Sequence, residues 1–277
     1  MRYCDLHTHS LFSDGTFTPS QIIDAAAETG LSAVALCDHN NVDGLPEFLK
    51  AAEGKDVEAV CGCEFSVDCE GTELHILGLY IPQSSFSTVT QFTEKTNKKK
   101  EESNIRLIDS LRKAGYAIDY DDVLKLTPKG KFNRSHVAEV LLKKGYVSSV
   151  DEAFATILSE KEGHYIEPER CSVWEVIDFI KSIGAVSVFA HPFINLDETG
   201  LKEILPKMKR RGLVGMECLY SEYNAQKEKA AISIAEYYGL KFSGGSDFHG
   251  EKKPGIKLGA GKGNLRIPYE WAASLKG

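Results

Sequence analysis

What most limits the folds open to this chain is a series of short apolar runs, several of which end in a metal-capable side chain. The runs are Tyr3–Leu6, Ser32–Cys37, Val57–Cys63, Leu74–Ile81, Ala185–Ala190, Leu213–Leu219 and Leu240–Ser243. Each has the length and aliphatic character of a buried strand, and helical patterns separate some of them. Between the first two, Thr18 can cap a helix, Pro19 suits its first position and Gln21 completes a capping box. Gly30 then ends that helix. Strand, helix, strand over so short a stretch is a βαβ unit. A similar unit runs from Ser172 through Ile183-Gly184 into Ala185–Ala190. A chain of 277 residues is long enough to close such units into one large α/β barrel, or to form two ordinary domains.

The middle of the chain differs. From about Ser84 to Gly163 no strand pattern stands out. Lys98-Lys99-Lys100-Glu101-Glu102 leads into Ile105, Leu107, Ile108 and Leu111 at helical spacing, and Val137–Lys143 and Val150–Leu158 also read as helices. The charge run reads as a solvated helix face. The pattern predicts a barrel, residues 1–83 and 164–277, interrupted by a helical insertion, 84–163.

Composition removes several classes. Apolar residues make up 42% and charged residues 26%, which is ordinary for a globular protein. No apolar run approaches the roughly 20 residues of a membrane-spanning helix. Met1-Arg2-Tyr3-Cys4-Asp5 carries charge where a secretory signal has an apolar core, so a cytoplasmic location is expected. The net charge of -7 argues against an extended duplex-binding groove. It leaves room for a small phosphorylated substrate, because bound metal ions reverse the local field. The 7 cysteines, Cys4, Cys37, Cys61, Cys63, Cys69, Cys171 and Cys218, include no C-x-x-C pair and read as reduced thiols.

The histidines carry the chemistry. In Asp5-Leu6-His7-Thr8-His9 the alternate side chains of a strand point to one face, so Asp5, His7 and His9 are expected to line up. Two imidazoles at a strand end are a natural half-site for a divalent metal. Asp14 follows in Ser13-Asp14-Gly15, and Asp38-His39-Asn40 ends the second run. Glu64 ends Val57–Cys63, His191 ends Ala185–Ala190, and Asp247 and His249 follow Gly244-Gly245-Ser246. In parallel barrels, sites are built on the rim at the carboxyl ends of the strands. His75 opens its run, so spacing alone leaves it undecided. Imidazole and carboxylate without thiolate suit Mn, Fe or Zn in a reactive site and disfavour a structural zinc-thiolate site. Neither a phosphate-binding P-loop nor a G-x-S-x-G elbow is present, and Gly244-Gly245-Ser246 reads as a turn that lets backbone approach the metals. His164 matches no ligand position and reads as a loop residue.

These segments together resemble the PHP-domain (polymerase and histidinol phosphatase) metal-dependent phosphoesterases. The matching stretches are Asp5-Leu6-His7-Thr8-His9-Ser10, Ser13-Asp14-Gly15, Asp38-His39-Asn40, Gly62-Cys63-Glu64, Leu74-His75-Ile76-Leu77-Gly78, Ala190-His191-Pro192 and Gly244-Gly245-Ser246-Asp247-Phe248-His249, in family order across almost the whole chain. The resemblance implies an α/β fold, a distorted (β/α)₇ barrel, with the helical insertion over its mouth. It implies two or three divalent metal ions: His7, His9, Glu64 and Asp247 on the first; Glu64 as a bridge to a second completed by His75 and His191; Asp14, His39 and His249 on a third. It also settles His75 as a ligand. Within the insertion, Phe132-Asn133-Arg134-Ser135-His136-Val137-Ala138, Lys144-Gly145-Tyr146-Val147 and Glu152-Ala153-Phe154 resemble the subfamily of nucleoside 3',5'-bisphosphate phosphatases and short-RNA exonucleases. Ser135 stands where many members carry Pro. That resemblance implies that Arg134, Ser135 and His136 reach a substrate phosphate.

The expected activity is hydrolysis of a small phosphate ester by water activated between metals, with Glu64, Asp247 and His191 as the catalytic side chains. The 3'-phosphate of a nucleoside 3',5'-bisphosphate is the first expected substrate, with 5' trimming of short single-stranded RNA related to it. A phosphorylated ribose cyclic phosphate and histidinol phosphate are the alternatives, and a non-catalytic metal-binding module is the remaining one. No duplex nucleic acid, membrane or protein partner is implied.

Overall fold

The computed structural model describes residues 2–127, 133–263 and 265–276; Phe132 of the insertion motif lies outside the described residues. Along the first part of the chain come β1 (Tyr3–Thr8), α1 (Pro19–Glu28), β2 (Ala33–Leu36), α2 (Leu45–Ala52), β3 (Glu58–Cys69) and β4 (Thr72–Leu79). Four helices follow: α3 (Phe86–Lys113), α4 (Tyr120–Leu124), α5 (Arg134–Lys143) and α6 (Val150–Ala155). The chain then returns through α7 (Val173–Ser182), β5 (Val186–Phe189), α8 (Glu198–Arg211), β6 (Gly215–Tyr220), α9 (Ala225–Tyr238), β7 (Lys241–Gly245), β8 (Ile267–Pro268) and α10 (Tyr269–Leu275). Helix α1 starts as its sequence predicts: Thr18 and Gln21 cap each other's backbone N–H groups, and Ile22, Ile23 and Ala26 face the core.

The strands form one mixed sheet in the order β7-β6-β5-β4-β3-β2-β1-β8. Neighbours run parallel except for β4, which is antiparallel to both β3 and β5, and β8, which is antiparallel to β1. The ends curl together into a nearly closed barrel. The Asp247 N–H donates to the His7 carbonyl and the His9 N–H to the Phe248 carbonyl, both at 2.9 Å. Gly245 permits that approach, because a Cβ there would stand 2.2 Å from the Cβ of His7. Gly244 and Gly245 are therefore the last residues of β7, and the expected turn begins only after them.

The sequence reading stopped β3 at Cys63. The strand runs on to Cys69 and turns back through Glu70-Gly71, both at positive φ (54° and 86°), into β4. This hairpin explains His75. Because β4 runs antiparallel, its amino-terminal half lies at the rim where the parallel strands end. His75 pairs with Ser66, two residues beyond Glu64, so its side chain leaves the sheet on the Glu64 face.

One apolar core lies between the strands and the surrounding helices, with Val34, Leu36, Phe65, Ile76 and Met216 meeting residues such as Ile22, Phe48, Ile177 and Leu205. A smaller core, with Leu6, Val60, Leu77, Leu79 and Val188, fills the opposite face. Helices α3–α6 enclose a third, built on Leu107, Leu111, Val123, Val137, Leu141 and Leu158. No strand occurs among the described residues of 84–163. Helix α3, about 42 Å long at 1.5 Å per residue, joins the two regions: Val89 packs in the barrel core and Leu107 in the third core.

Candidate metal centre

The strand ends deliver the expected side chains to one place. The Nε2 atoms of His7 and His9 lie 3.1 Å apart, and Glu64 Oε2 is 3.4 Å from the first and 3.3 Å from the second. Glu64 Oε1 meets His75 Nδ1 at 2.7 Å and His191 Nε2 at 3.0 Å. His39 Nδ1 comes within 3.0 Å of Glu64 Oε2. Asp247 Oδ1 lies 3.2 Å from His9 Nε2, and Asp14 Oδ1 lies 3.3 Å from His249 Nε2. All the expected ligand positions thus converge around Glu64, which is 1% exposed. His191 and Asp247 sit at φ 27° and 55°, and Asn40 beside His39 at 46°. Left-handed backbone at non-glycine residues is costly, and such positions gather at functional sites.

Burial disfavours a charged carboxylate, yet His75, His39 and His7 hold Glu64 well below the usual carboxylate range. Asp247 is likewise held low against its burial by Lys253 and His249, and Asp14 by His249 and His39. Burial also pushes His39 down to about 3, against the opposite pull of Glu64 and Asp14.

The donor set fits divalent cations. Three groups offer ligand atoms within 4.8 Å of one another: His9, Asp14, His39 and His249; His7, His9 and Glu64; and His39, Glu64 and His75. Asp14 Oδ1 and His39 Nδ1 are buried with no hydrogen bond to satisfy them. Such unsatisfied buried polar atoms are costly unless a ligand completes them. No cysteine enters any group, as expected for Mn, Fe or Zn in an open site.

Supporting residues hold this arrangement. Glu217 Oε1 pairs with His7 Nδ1 at 3.1 Å, and its other oxygen accepts the His191 N–H at 2.6 Å. That bond to Nδ1 turns the free Nε2 of His7 toward the cluster. Glu217 was not foreseen; its one signal is a lone carboxylate in the apolar run Met216-Glu217-Cys218-Leu219. Tyr220 and Lys253 both donate to Asp247 Oδ2, at 2.8 and 2.7 Å, and nothing in their sequence context pointed to either. Asp38 accepts from Ser10 and Ser13 and so fixes the loop that carries Asp14. Asp5 does not join His7 and His9 as the alternation predicted, because the register shifts between Asp5 and Thr8. It accepts instead from Ser246 and the Gly259 N–H, anchoring the segment that presents Asp247.

A cavity of about 910 Å³ opens over the cluster. Glu64, His75, His191, Asp247 and His249 line one side, and Ser135 and Phe154 from α5 and α6 line the other. A smaller adjoining cavity of about 300 Å³ brings in Lys100, Arg134 and Arg170. Arg134 has no carboxylate partner among the described residues; its guanidinium lies over the Tyr165 ring, 4.1 Å from the centroid. Ser135 Oγ donates to Asn133 Oδ1 at 2.6 Å and faces both cavities. His136 departs from expectation. It is 2% exposed, its Nδ1 accepts the Asn133 N–H at 3.1 Å, and neither cavity includes it in its wall. It completes the capping box of α5, whose N-cap is Asn133. His164 hydrogen-bonds Ser110 at 2.9 Å, away from the cluster.

The comparisons agree with this geometry. A model of the PHP domain matches residues 5–170. A 5'-3' exoribonuclease of Haemophilus influenzae is 29% identical over 246 residues, 88% of this chain and 89% of the relative. A 3',5'-nucleoside bisphosphate phosphatase of Chromobacterium violaceum is 27% identical over 261 residues, 94% of this chain and 91% of the relative. A solved structure from Bifidobacterium adolescentis, assigned to the metal-dependent phosphoesterases, has TM-score 0.87 and 29% identity over 99% of this chain and 95% of that one. The chain therefore belongs to the PHP-domain family and is a metal-dependent hydrolase of phosphate esters.

Proposed function

We propose that the enzyme removes the 3'-phosphate of nucleoside 3',5'-bisphosphates, with 5' trimming of short RNA as a related activity. The observation that carries this reading is Arg134. It is a guanidinium without a carboxylate partner among the described residues, placed over the Tyr165 ring in the wall of a cavity shared with His39, His75 and His191. Stacking leaves its N–H edges for the planar, two-point grip that suits a phosphate. The relatives named a bisphosphate phosphatase and an exoribonuclease support the same substrate class. Residues 84–163 are in this reading the substrate cap of the barrel formed by 1–83 and 164–277.

His7, His9, Glu64 and Asp247 would hold one divalent ion, Glu64 with His75 and His191 a second, and Asp14, His39 and His249 a third. Bound there, such ions lower the pKa of water and neutralise phosphoryl charge. The protein's own part is to keep Glu64 ionised, to fix the His7 tautomer through Glu217, and to seat the substrate with Arg134 and Ser135. Asp247, held ionised by Lys253, is unsuited to protonate the leaving oxygen. The test is kcat/KM of manganese-loaded protein on adenosine 3',5'-bisphosphate, a phosphoribosyl cyclic phosphate and histidinol phosphate. The bisphosphate should lead; a better rate on either rival would replace the substrate assignment while keeping the enzyme class.

A further inference from the structure

Three lysines line the large cavity: Lys143, Lys252 and Lys253. Lys143 is exposed at the end of α5, and Lys252 is taken by Glu139 at 2.6 Å. Of the three, only Lys253 pairs with a residue of the cluster, its ammonium 2.7 Å from Asp247 Oδ2. The segment that presents it is pinned. Thr16 Oγ1 accepts the Glu251 N–H at 3.0 Å, and Gly250, at φ 67°, packs where a Cβ would stand 2.1 Å from that same oxygen. Beyond Lys253, Ile256 and Leu258 are buried. An ammonium carries three donors. One goes to Asp247; the other two meet no acceptor among the described residues, and the side chain is 39% exposed. The wall of the cavity also holds Glu139, Asp151 and Glu251, all more than 4.0 Å from the ammonium. Cations in the cluster repel this charge, so it does not serve to attract them. Nor is it needed to fix Asp247, whose Oδ2 already accepts from Tyr220 at 2.8 Å. The partner it suits is an anionic oxygen held against the same cations.

Depth in the site points to which oxygen that is. Burial falls from His7, His9 and Glu64, through Asp247, to Lys253. A phosphate ester seated on the cluster has room for its organic part only in the cavity, so its ester oxygen points outward, past Asp247. Displacement at phosphorus keeps the entering and leaving oxygens roughly in line, which puts the leaving oxygen on the Lys253 side. We propose that Lys253 is a further catalytic residue, whose ammonium bridges Asp247 and the oxygen that leaves phosphorus and stabilises the charge developing there. In that step the oxygen of water forms the new P–O bond, and the ester P–O bond breaks with its electron pair passing to the leaving oxygen. Lys253 keeps its proton and donates a hydrogen bond. The proton lost by the water and the one gained by the alcohol are exchanged with solvent. The proposal rests on the histidine cluster being the phosphoryl site, and not on which ester is the natural substrate.

The experiment compares Lys253→Met with wild type, both manganese-loaded to matched content, on 2,4-dinitrophenyl, 4-nitrophenyl and phenyl phosphate and on the corresponding methyl aryl phosphodiesters. The weaker an acid the departing phenol is, the more its oxygen needs the lysine. On the phenyl ester kcat/KM should fall at least about 100-fold, the scale of one removed oxyanion donor, and on the dinitrophenyl ester about 3-fold or less. Manganese titrated into metal-free protein should bind Lys253→Met at least as tightly as wild type, because a repelling charge is gone and Tyr220 still holds Asp247. Equal losses on all the esters, or losses accompanied by weaker manganese binding, would make Lys253 a support for Asp247 and overturn the proposal, as would no loss on any ester. If Lys253→Met loses its fold by circular dichroism, Lys253→Gln takes its place under the same criteria. A wild type that turns over neither series would reject the phosphoryl reading of the cluster, and the proposal with it. A loss that grows along the series supports both, whichever ester is the natural one.

Discussion

Two residues carry separable parts of the site's function. Arg134→Lys keeps the charge but loses the planar fork and the stack on Tyr165. It should cost roughly 1–3 kcal/mol in kcat/KM for a bisphosphate, the range of a charge-assisted hydrogen bond. The loss should be smaller for a chromogenic phosphodiester with no second phosphate; equal losses on both would place Arg134 at the scissile group or in folding. Glu217→Gln keeps the shape beside His7 and removes the charge that orients its ring. Substitutions behind a ligand typically weaken metal binding about 10–100-fold. Competition against a chelator should show that drop, and unchanged affinity would reduce Glu217 to a packing role. Whereas His75 opens its run and was settled only by the family resemblance, the ligand positions that end or follow a strand-like run were legible. Glu217 and Lys100 were not. One is a lone acid inside an apolar strand, the other the inward member of a run whose neighbours face water.

At the scale of elements, the site depends on how β1, β3, β4 and β7 are brought together. The closing contact is the tightest. Gly245→Ala would drive a methyl group into the Cβ of His7, 2.2 Å away, with backbone atoms of His7 within 3.0 Å. Neither strand can yield without breaking the Asp247–His7 hydrogen bond. Overpacking of this kind usually costs about 1–3 kcal/mol or more. The thermal midpoint should fall and metal affinity should fall with it, whereas an unchanged midpoint would mean that the barrel closes less tightly than described. The β3–β4 hairpin shows where pattern reading stops. Both strands were visible as apolar runs, but their relative direction was not, and direction decides which end of β4 reaches the rim. The extension to Cys69 was hidden because Ser66 and Asp68 interrupt the apolar run.

For the whole molecule, the cluster is a concentration of like and unlike charge that the apolar cores must hold in place. The barrel and α3–α6 have separate cores, joined by α3 and by the ion pair of Lys252 with Glu139 at 2.6 Å. Any ion that binds only the folded cluster stabilises the whole chain by mass action. Chelation should therefore lower the thermal midpoint, and readdition of manganese should restore both stability and turnover. A midpoint indifferent to chelator would mean that the histidines are satisfied without metal. The most direct test of the account is Glu64→Gln, which preserves the side chain's shape and removes the charge that His7, His9, His39, His75 and His191 surround. With metal content measured and matched to wild type, turnover should fall at least about 100-fold, the scale of a lost electrostatic contribution to the transition state. Near-normal turnover in a metal-replete Glu64→Gln preparation would contradict the assignment of Glu64 as the shared centre of the site.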